Sequence, residues 1–211
     1  MRLPLLSVLA FALTVAASAT PAPSASAVRP LAPGATPPAA TVRTADDQPV
    51  TLAALTAGRP TVLIFYRGGW CPYCTKHLAA LREVEADLHA LGYRILALSP
   101  ESPAALAAAS QAGPPFRLLS DRGMQAADAF GVAYRVDALT REKYAGYGIA
   151  LAPIPGDADP AARWLPVPAV FILRADGTIA YAHHDPDYRV RLAPADLLAA
   201  ARNARPATPG T

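Results

Sequence analysis

The chain has 211 residues, of which 53% are hydrophobic and 17% charged, and a formal charge of +3 at pH 7. That is enough for one domain with a real core. Its basic residues are almost all arginines, with only Lys76 and Lys143 as lysines, and they are dispersed along the chain. This excludes the basic stripe of a nucleic-acid binder, and two cysteines cannot build a disulfide-dense scaffold.

At the N-terminus, Met1-Arg2 is a short basic start, Leu3 to Ala17 is mostly apolar, and small residues follow. This pattern predicts an export signal within residues 1–27, cleaved after Ala19 or after Ala27. The apolar run is shorter than the roughly 20 residues a membrane span needs, so no stable span is expected after cleavage, and no cysteine follows the signal to carry a lipid. The expected location is the bacterial periplasm or the exterior. Residues 28–35 lie in a stretch rich in Pro, Ala and Ser and read as a flexible tether, with a domain over 36–203 and a disordered tail over 204–211.

Thr41 to Thr44 and Pro49 to Leu52, joined through Asp46-Asp47, predict a small hairpin. Val62 to Phe65 is a buried strand, followed by Gly68-Gly69 and a helix from the cysteines to Leu91, where Leu78, Leu81, Val84, Leu88 and Leu91 recur at helical spacing. Arg94 to Leu98 is the next strand, and Ser102-Pro103 caps a helix through about Ala112. Phe116 to Leu119 is a third strand and Gly123 to Phe130 a further helix. Residues 131–166 break the rhythm: Arg141 to Tyr147 suits a short helix, Pro153 to Ala162 a loop, and Tyr134, Tyr144, Tyr147 and Trp164 put aromatic surface into the connection. Ala169 to Leu173 and Thr178 to Ala182 flank the turn Asp176-Gly177 as an antiparallel hairpin, and Pro194 to Ala201 is the final helix. The alternation of strands and helices predicts an α/β fold, a central mixed sheet flanked by helices.

Cys71 and Cys74 sit where the first core strand hands over to its helix, with Pro72 in the first turn. Unpaired backbone N–H groups and the helix dipole stabilise a thiolate there, and such positions lower a cysteine pKa from about 8.5 to roughly 3.5–7.5. One depressed thiol is therefore expected. A purely structural disulfide across so small a ring would contribute only about 2 kcal/mol, against nearly 5 for a hundred-residue loop. Structural zinc needs about four ligands, and beyond the two cysteines the chain offers only scattered histidines, so neither metal nor cofactor is expected. In an oxidising compartment the pair would stand as a Cys71–Cys74 disulfide unless a donor reduces it.

The element order, with Trp-Cys-x-x-Cys at a strand tip and Val167-Pro168 before the terminal hairpin, resembles the thioredoxin-like fold over about residues 36–203. Within it, Phe65-Tyr66-Arg67-Gly68-Gly69-Trp70-Cys71-Pro72-Tyr73-Cys74, Leu118-Leu119-Ser120-Asp121 and Asp185-Pro186-Asp187-Tyr188 resemble the peroxiredoxin-like branch of the AhpC/TSA redoxins. The resemblance implies a peroxidase that reduces hydroperoxides through a Cys71/Cys74 dithiol–disulfide cycle, with a thioredoxin-like dithiol donor. It implies that Arg67, Trp70, Pro72, Tyr73, Val167 and Pro168 line the sulfurs and position substrate, with Pro168 as a cis-proline. The chain departs from typical members in two respects. Their proline, threonine and attacking cysteine fall here on Arg67, Cys71 and Cys74, and their late-strand arginine falls on Val167-Pro168, leaving Arg67 or Arg163 as substitutes.

Two orders of attack compete. In the peroxiredoxin register Cys74 attacks and Cys71 resolves; in the thioredoxin register Cys71, expected to be the more exposed, attacks a protein disulfide. The alternatives to a peroxidase are a periplasmic thiol-disulfide oxidoreductase and a non-enzymatic partner-binding domain, and Pro-Tyr between the cysteines also resembles a glutaredoxin motif. His77 is a candidate base or charge partner for Cys74. His183-His184 are weighed as metal ligands, and Asp185 and Asp187 as carboxylates of a turn.

Overall fold

The computed structural model describes residues 21–110 and 116–204. Seven strands form one sheet: β1 (Thr41–Arg43), β2 (Pro49–Thr51), β3 (Thr61–Phe65), β4 (Arg94–Ser99), β5 (Arg117–Ser120), β9 (Ala169–Leu173) and β10 (Ile179–His184). Their order is β10-β9-β3-β4-β5-β1-β2. β3, β4 and β5 run parallel, while β9, β10, β1 and β2 pair antiparallel at the flanks, so the sheet is mixed.

Strand alternation divides the core in two. Leu63, Phe65, Leu96, Leu98, Leu119, Phe171 and Leu173 bury one face, while Val62, Ile64, Tyr66, Ile95, Ala97, Leu118, Val170 and Ile172 bury the other. The strands are apolar on both faces because both are covered. The second face carries both sulfurs together with α2 (Pro72–Leu81), α3 (Glu85–Ala90) and α7 (Pro194–Ala204). The helix expected as one piece to Leu91 is interrupted by a 3₁₀ turn at Arg82–Val84, and Leu81, Val84 and Leu88 stay buried on one side across the break. α1 (Leu52–Thr56) and α4 (Pro103–Ser110) complete this part of the chain. The expected end of α4 at Ala112 lies outside the described residues.

α5 (Gln125–Ala129) begins after Met124, which has a φ of 54° and a side chain with no oxygen to cap the helix. Asp121 does that work, accepting hydrogen bonds from the amides of Ala126 (3.0 Å) and Ala127 (2.8 Å). Residues 131–166 form more than a loop and a helix. β6 (Ala133–Arg135), β7 (Ala152–Pro153) and β8 (Arg163–Pro166) make a second sheet of order β6-β8-β7, joined through α6 (Ala138–Gly146).

Two expectations are corrected. Residues 28–35 are no tether: Val28 is buried, Leu31 and Ala35 pack on the first core face, and backbone bonds run from Leu31 to Phe130 and from Gly34 to Ile179. Ala22 bridges β6 through bonds to Ala133 and Arg135. The apolar Val28 and Leu31 interrupt the polar, small composition and seat the segment. Pro168 is also not cis, since no described peptide bond is cis. Val167 donates to the Val132 carbonyl at 2.8 Å, one residue past β8, and the chain passes into β9 through the trans bond favoured for any residue before proline.

Candidate active site

The site lies at the carboxyl ends of β3, β4 and β5, where open α/β sheets place their chemistry. β3 ends at Phe65, and Tyr66, Arg67 and Gly68 lead to Cys71, the N-cap of α2. Gly68 has φ +140°, and a Cβ there would stand 2.4 Å from Nε1 of Trp70, so only glycine permits this turn. Beside it the Gly69 amide donates to Glu101 Oε2 at 2.9 Å, and Ser99 bonds the same carboxylate at 3.1 Å. Pro72 occupies the first turn, exposed, and the Cys71 carbonyl accepts from the amides of Cys74 (2.9 Å) and Thr75 (3.1 Å).

Both cysteines are free thiols and each is only 1% exposed. Exposure therefore does not separate them, contrary to the expectation that Cys71 is the more open. Charge does separate them. The Cys74 side chain hydrogen-bonds the Cys71 sulfur and, with the Cys74 amide and the guanidinium groups of Arg67 and Arg191, holds the Cys71 thiol well below its ordinary value against its burial. Cys74 is pushed up, first by that same bond and then by burial and the Cys71 charge, with Arg191 acting the other way. The two thiols titrate together, and their mutual hydrogen bond favours the charge on Cys71 and the proton on Cys74.

Each sulfur has its own guanidinium. Arg67 Nη1 lies 3.9 Å from Cys71 Sγ, and Arg191 Nη2 lies 3.4 Å from Cys74 Sγ. Arg67 is buried among three rings, with its Cζ 4.2 Å from the ring centre of Tyr188, 5.0 Å from Trp70 and 5.3 Å from Tyr144, and it donates to the Tyr144 hydroxyl. Among the described residues no carboxylate lies within salt-bridge distance of either arginine; Asp187, the nearby acid, is taken up by Arg189. Neither charge is neutralised by a directly paired carboxylate.

Of the other expected residues, Trp70 stacks against Tyr144 (5.4 Å) and Tyr73 stands 42% exposed against Tyr188 (5.6 Å). Tyr66 faces the sulfur side, and burial raises its hydroxyl pKa. Val167 and Pro168 are buried, and Pro168 shares a recess with His77, His183 and Arg191. Arg163 is not at the sulfurs; its guanidinium is spent on the carbonyls of Pro160 and Ala162. The guanidinium that the structure brings to Cys74 belongs to Arg191, 117 positions away in the sequence and three residues beyond the Asp185-Pro186-Asp187-Tyr188 motif. Asp185 and Asp187 shape their turn by accepting from the amides of Asp187 and Arg189. Among the described residues no three His, Cys, Asp or Glu side chains converge to hold a metal, and no helix is long and apolar enough to cross a membrane. A cavity of about 490 Å³ opens beside Arg67, bounded by Tyr134, Tyr144, Tyr147, Tyr188, Lys143 and the segment Pro23 to Ala25. A second, of about 450 Å³ between Thr36–Ala39 and α1, shares no residue with the sulfurs.

The fold and this strand-tip dithiol define a thioredoxin-fold redoxin. Residues 33–182 match the AhpC/TSA family, and the chain belongs to that family. It is 33% identical over 106 residues to a putative peroxiredoxin, bcp, of Haemophilus influenzae, covering 50% of this chain and 68% of that protein. It is likewise 33% identical over 100 residues to the chloroplastic peroxiredoxin Q of Sedum lineare, covering 47% and 53%. The matches thus span about half to two thirds of these relatives. The fold is that of the peroxidoxin BcpB of Mycobacterium tuberculosis (TM-score 0.59, 20% identity, 82% and 98% coverage) and of reduced Prx3 of Vibrio vulnificus in complex with H2O2 (0.63, 20%, 81% and 99%).

Proposed function

We propose that the chain is a thiol-dependent peroxidase that reduces hydroperoxides with Cys71 and Cys74. The observation that carries this reading is a buried dithiol with a guanidinium group beside each sulfur. The Cys71 thiolate attacks the terminal peroxide oxygen. The O–O bond breaks, the sulfur becomes a sulfenic acid, and the departing alkoxide or hydroxide takes a proton and leaves as alcohol or water. Cys74 then displaces that hydroxyl as water and closes the Cys71–Cys74 disulfide. A thioredoxin-type donor dithiol reduces it and leaves as its own disulfide. The guanidinium groups offset negative charge developing on oxygen. Burial of both sulfurs favours a small oxidant over a bulky protein disulfide, and the cavity beside Arg67 is the approach we assign to it.

The reversed order, with Cys74 attacking, is favoured by the 3.4 Å contact of Arg191 and by the position Cys74 holds in the family's register. Stopped-flow oxidation of the reduced protein by hydrogen peroxide, beside Cys71→Ser and Cys74→Ser, decides between them. Rapid oxidation retained in Cys74→Ser, with a sulfenic acid trapped on Cys71, supports the order proposed; retention in Cys71→Ser supports the reverse. Slow oxidation together with rapid exchange with protein disulfides would overturn the peroxidase.

We also place the protein outside the cytoplasm, exported by residues 1–19. The basic start and apolar run support a signal, and cleavage after Ala19 spares residues 22–25, which cleavage after Ala27 would remove from β6 and the cavity wall. The N-terminal sequence of the protein purified from a bacterial periplasm tests this: a start at Thr20 is expected, and a start at Val28 or retention of Met1 contradicts it.

A further inference from the structure

Arg191 reaches Cys74 from the loop between β10 and α7, and a guanidinium on a loop favours the charged form of a sulfur only if its backbone is held. Asp187 is not the anchor, because its carboxylate is committed to Arg189 at 2.8 Å. The neighbouring Leu192 carbonyl lies 3.1 Å from Nε2 of His77, on α2, less than one turn beyond Cys74. A carbonyl only accepts, so Nε2 carries the hydrogen and Nδ1 is the bare nitrogen of a neutral ring. Burial, followed by the charge of Arg191 and a smaller effect of His183, pushes His77 down to about 4, against the Leu192 bond that acts the other way. The ring therefore stays neutral, and its hydrogen bond intact, throughout the range in which thiols titrate. Leu192 itself is buried in the sulfur-bearing cluster, and His77, Arg191 and Leu192 line one recess.

We infer that His77 is a positioning residue for Cys74: its bond to the Leu192 carbonyl fixes the backbone from which Arg191 reaches the sulfur, and so sets the thiolate fraction at Cys74. The inference rests on Cys74 reacting as a thiolate, when it displaces the hydroxyl of the oxidised Cys71 in the order proposed or when it attacks in the reverse order, and not on peroxide as the oxidant.

The test uses Cys71→Ser, in which Cys74 is the sole thiol and no coupled titration intervenes. Its pKa is read from the pH dependence of alkylation by iodoacetamide. Adding His77→Leu should raise it by about one unit, slowing alkylation about tenfold at a fixed pH below the pKa. His77→Gln, whose amide can donate to the same carbonyl, should restore most of the rate. Arg191→Met should give the same shift, and His77→Leu on top of it should add nothing. If His77→Leu does not fold, His77→Asn, too short to reach the carbonyl, takes its place. An unchanged titration, additive shifts, or no rescue by glutamine would overturn the inference. Peroxide consumption by the unsubstituted protein is measured separately, so failure of the peroxidase reading is distinguishable.

Discussion

Arg67 illustrates how one buried cation can be held without an acid. Its charge is offset by three aromatic faces and a sulfur, contacts that strengthen when water is excluded. Arg67→Met should raise the Cys71 pKa, read by thiolate absorbance, and lower stability by about 1–3 kcal/mol in urea denaturation. Arg67→Lys should not restore either, because an ammonium cannot stack as a planar guanidinium does. His77 gives a pH signature. Its folded pKa, about 4, lies below the ordinary 6.5, so the unfolded chain binds the extra proton and stability falls as pH drops from 6.5 toward 4, by up to about 3 kcal/mol. Asp121, pushed by burial up to about 7 against its amide donors, acts oppositely: the folded chain binds its proton, and that contribution fades as pH rises toward 7. The difference between unsubstituted protein and His77→Gln, measured by denaturation from pH 4 to 7, isolates the histidine and should grow as pH rises. At this scale Cys71, Cys74 and Arg67 were legible because eight consecutive residues, Arg67 to Cys74, hold them. Arg191 was not, since only the folded chain brings a loop arginine to a sulfur 117 positions away.

Elements were legible where an apolar run or a turn signal marked them, as with the three-residue β1 and β2 on either side of Asp46-Asp47. The five-residue β3 and β9 stand out as apolar runs, whereas β6, β7 and β8 have only three, two and four residues, too few for alternation to register against the surrounding loop. The hidden cap of α5 is a second case. Asp121 lies four residues before the helix begins, outside the usual N-cap position, yet holds two of its first amides. Asp121→Asn should destabilise the protein by about 1–3 kcal/mol, because an acceptor is lost and one amide can be left unpaired in a buried site. Chemical denaturation near pH 8 checks this; an unchanged midpoint would count against the cap.

At the level of the whole molecule, the central mixed sheet follows from runs apolar on both faces, but the seat of residues 21–35 does not follow from composition. Proline, alanine and serine dominate there, and a few apolar contacts with bonds to Phe130, Ala133 and Ile179 suffice to bind the segment. A chain beginning at Thr36 should be less stable by a few kcal/mol, with thermal unfolding several degrees lower; a true tether would leave the transition unchanged. The ring stack around Arg67 has an optical consequence. The protein has two tryptophans: Trp164, 1% exposed in the face opposite the sulfurs, and Trp70, adjacent to Cys71 and in contact with Arg67. Only the second borders the charge that disappears when the dithiol closes. Emission at 295 nm excitation should therefore change on oxidation and revert on reduction, with Trp164 as a constant background and the change abolished in Trp70→Phe. The molecule carries its own dye beside its two thiols.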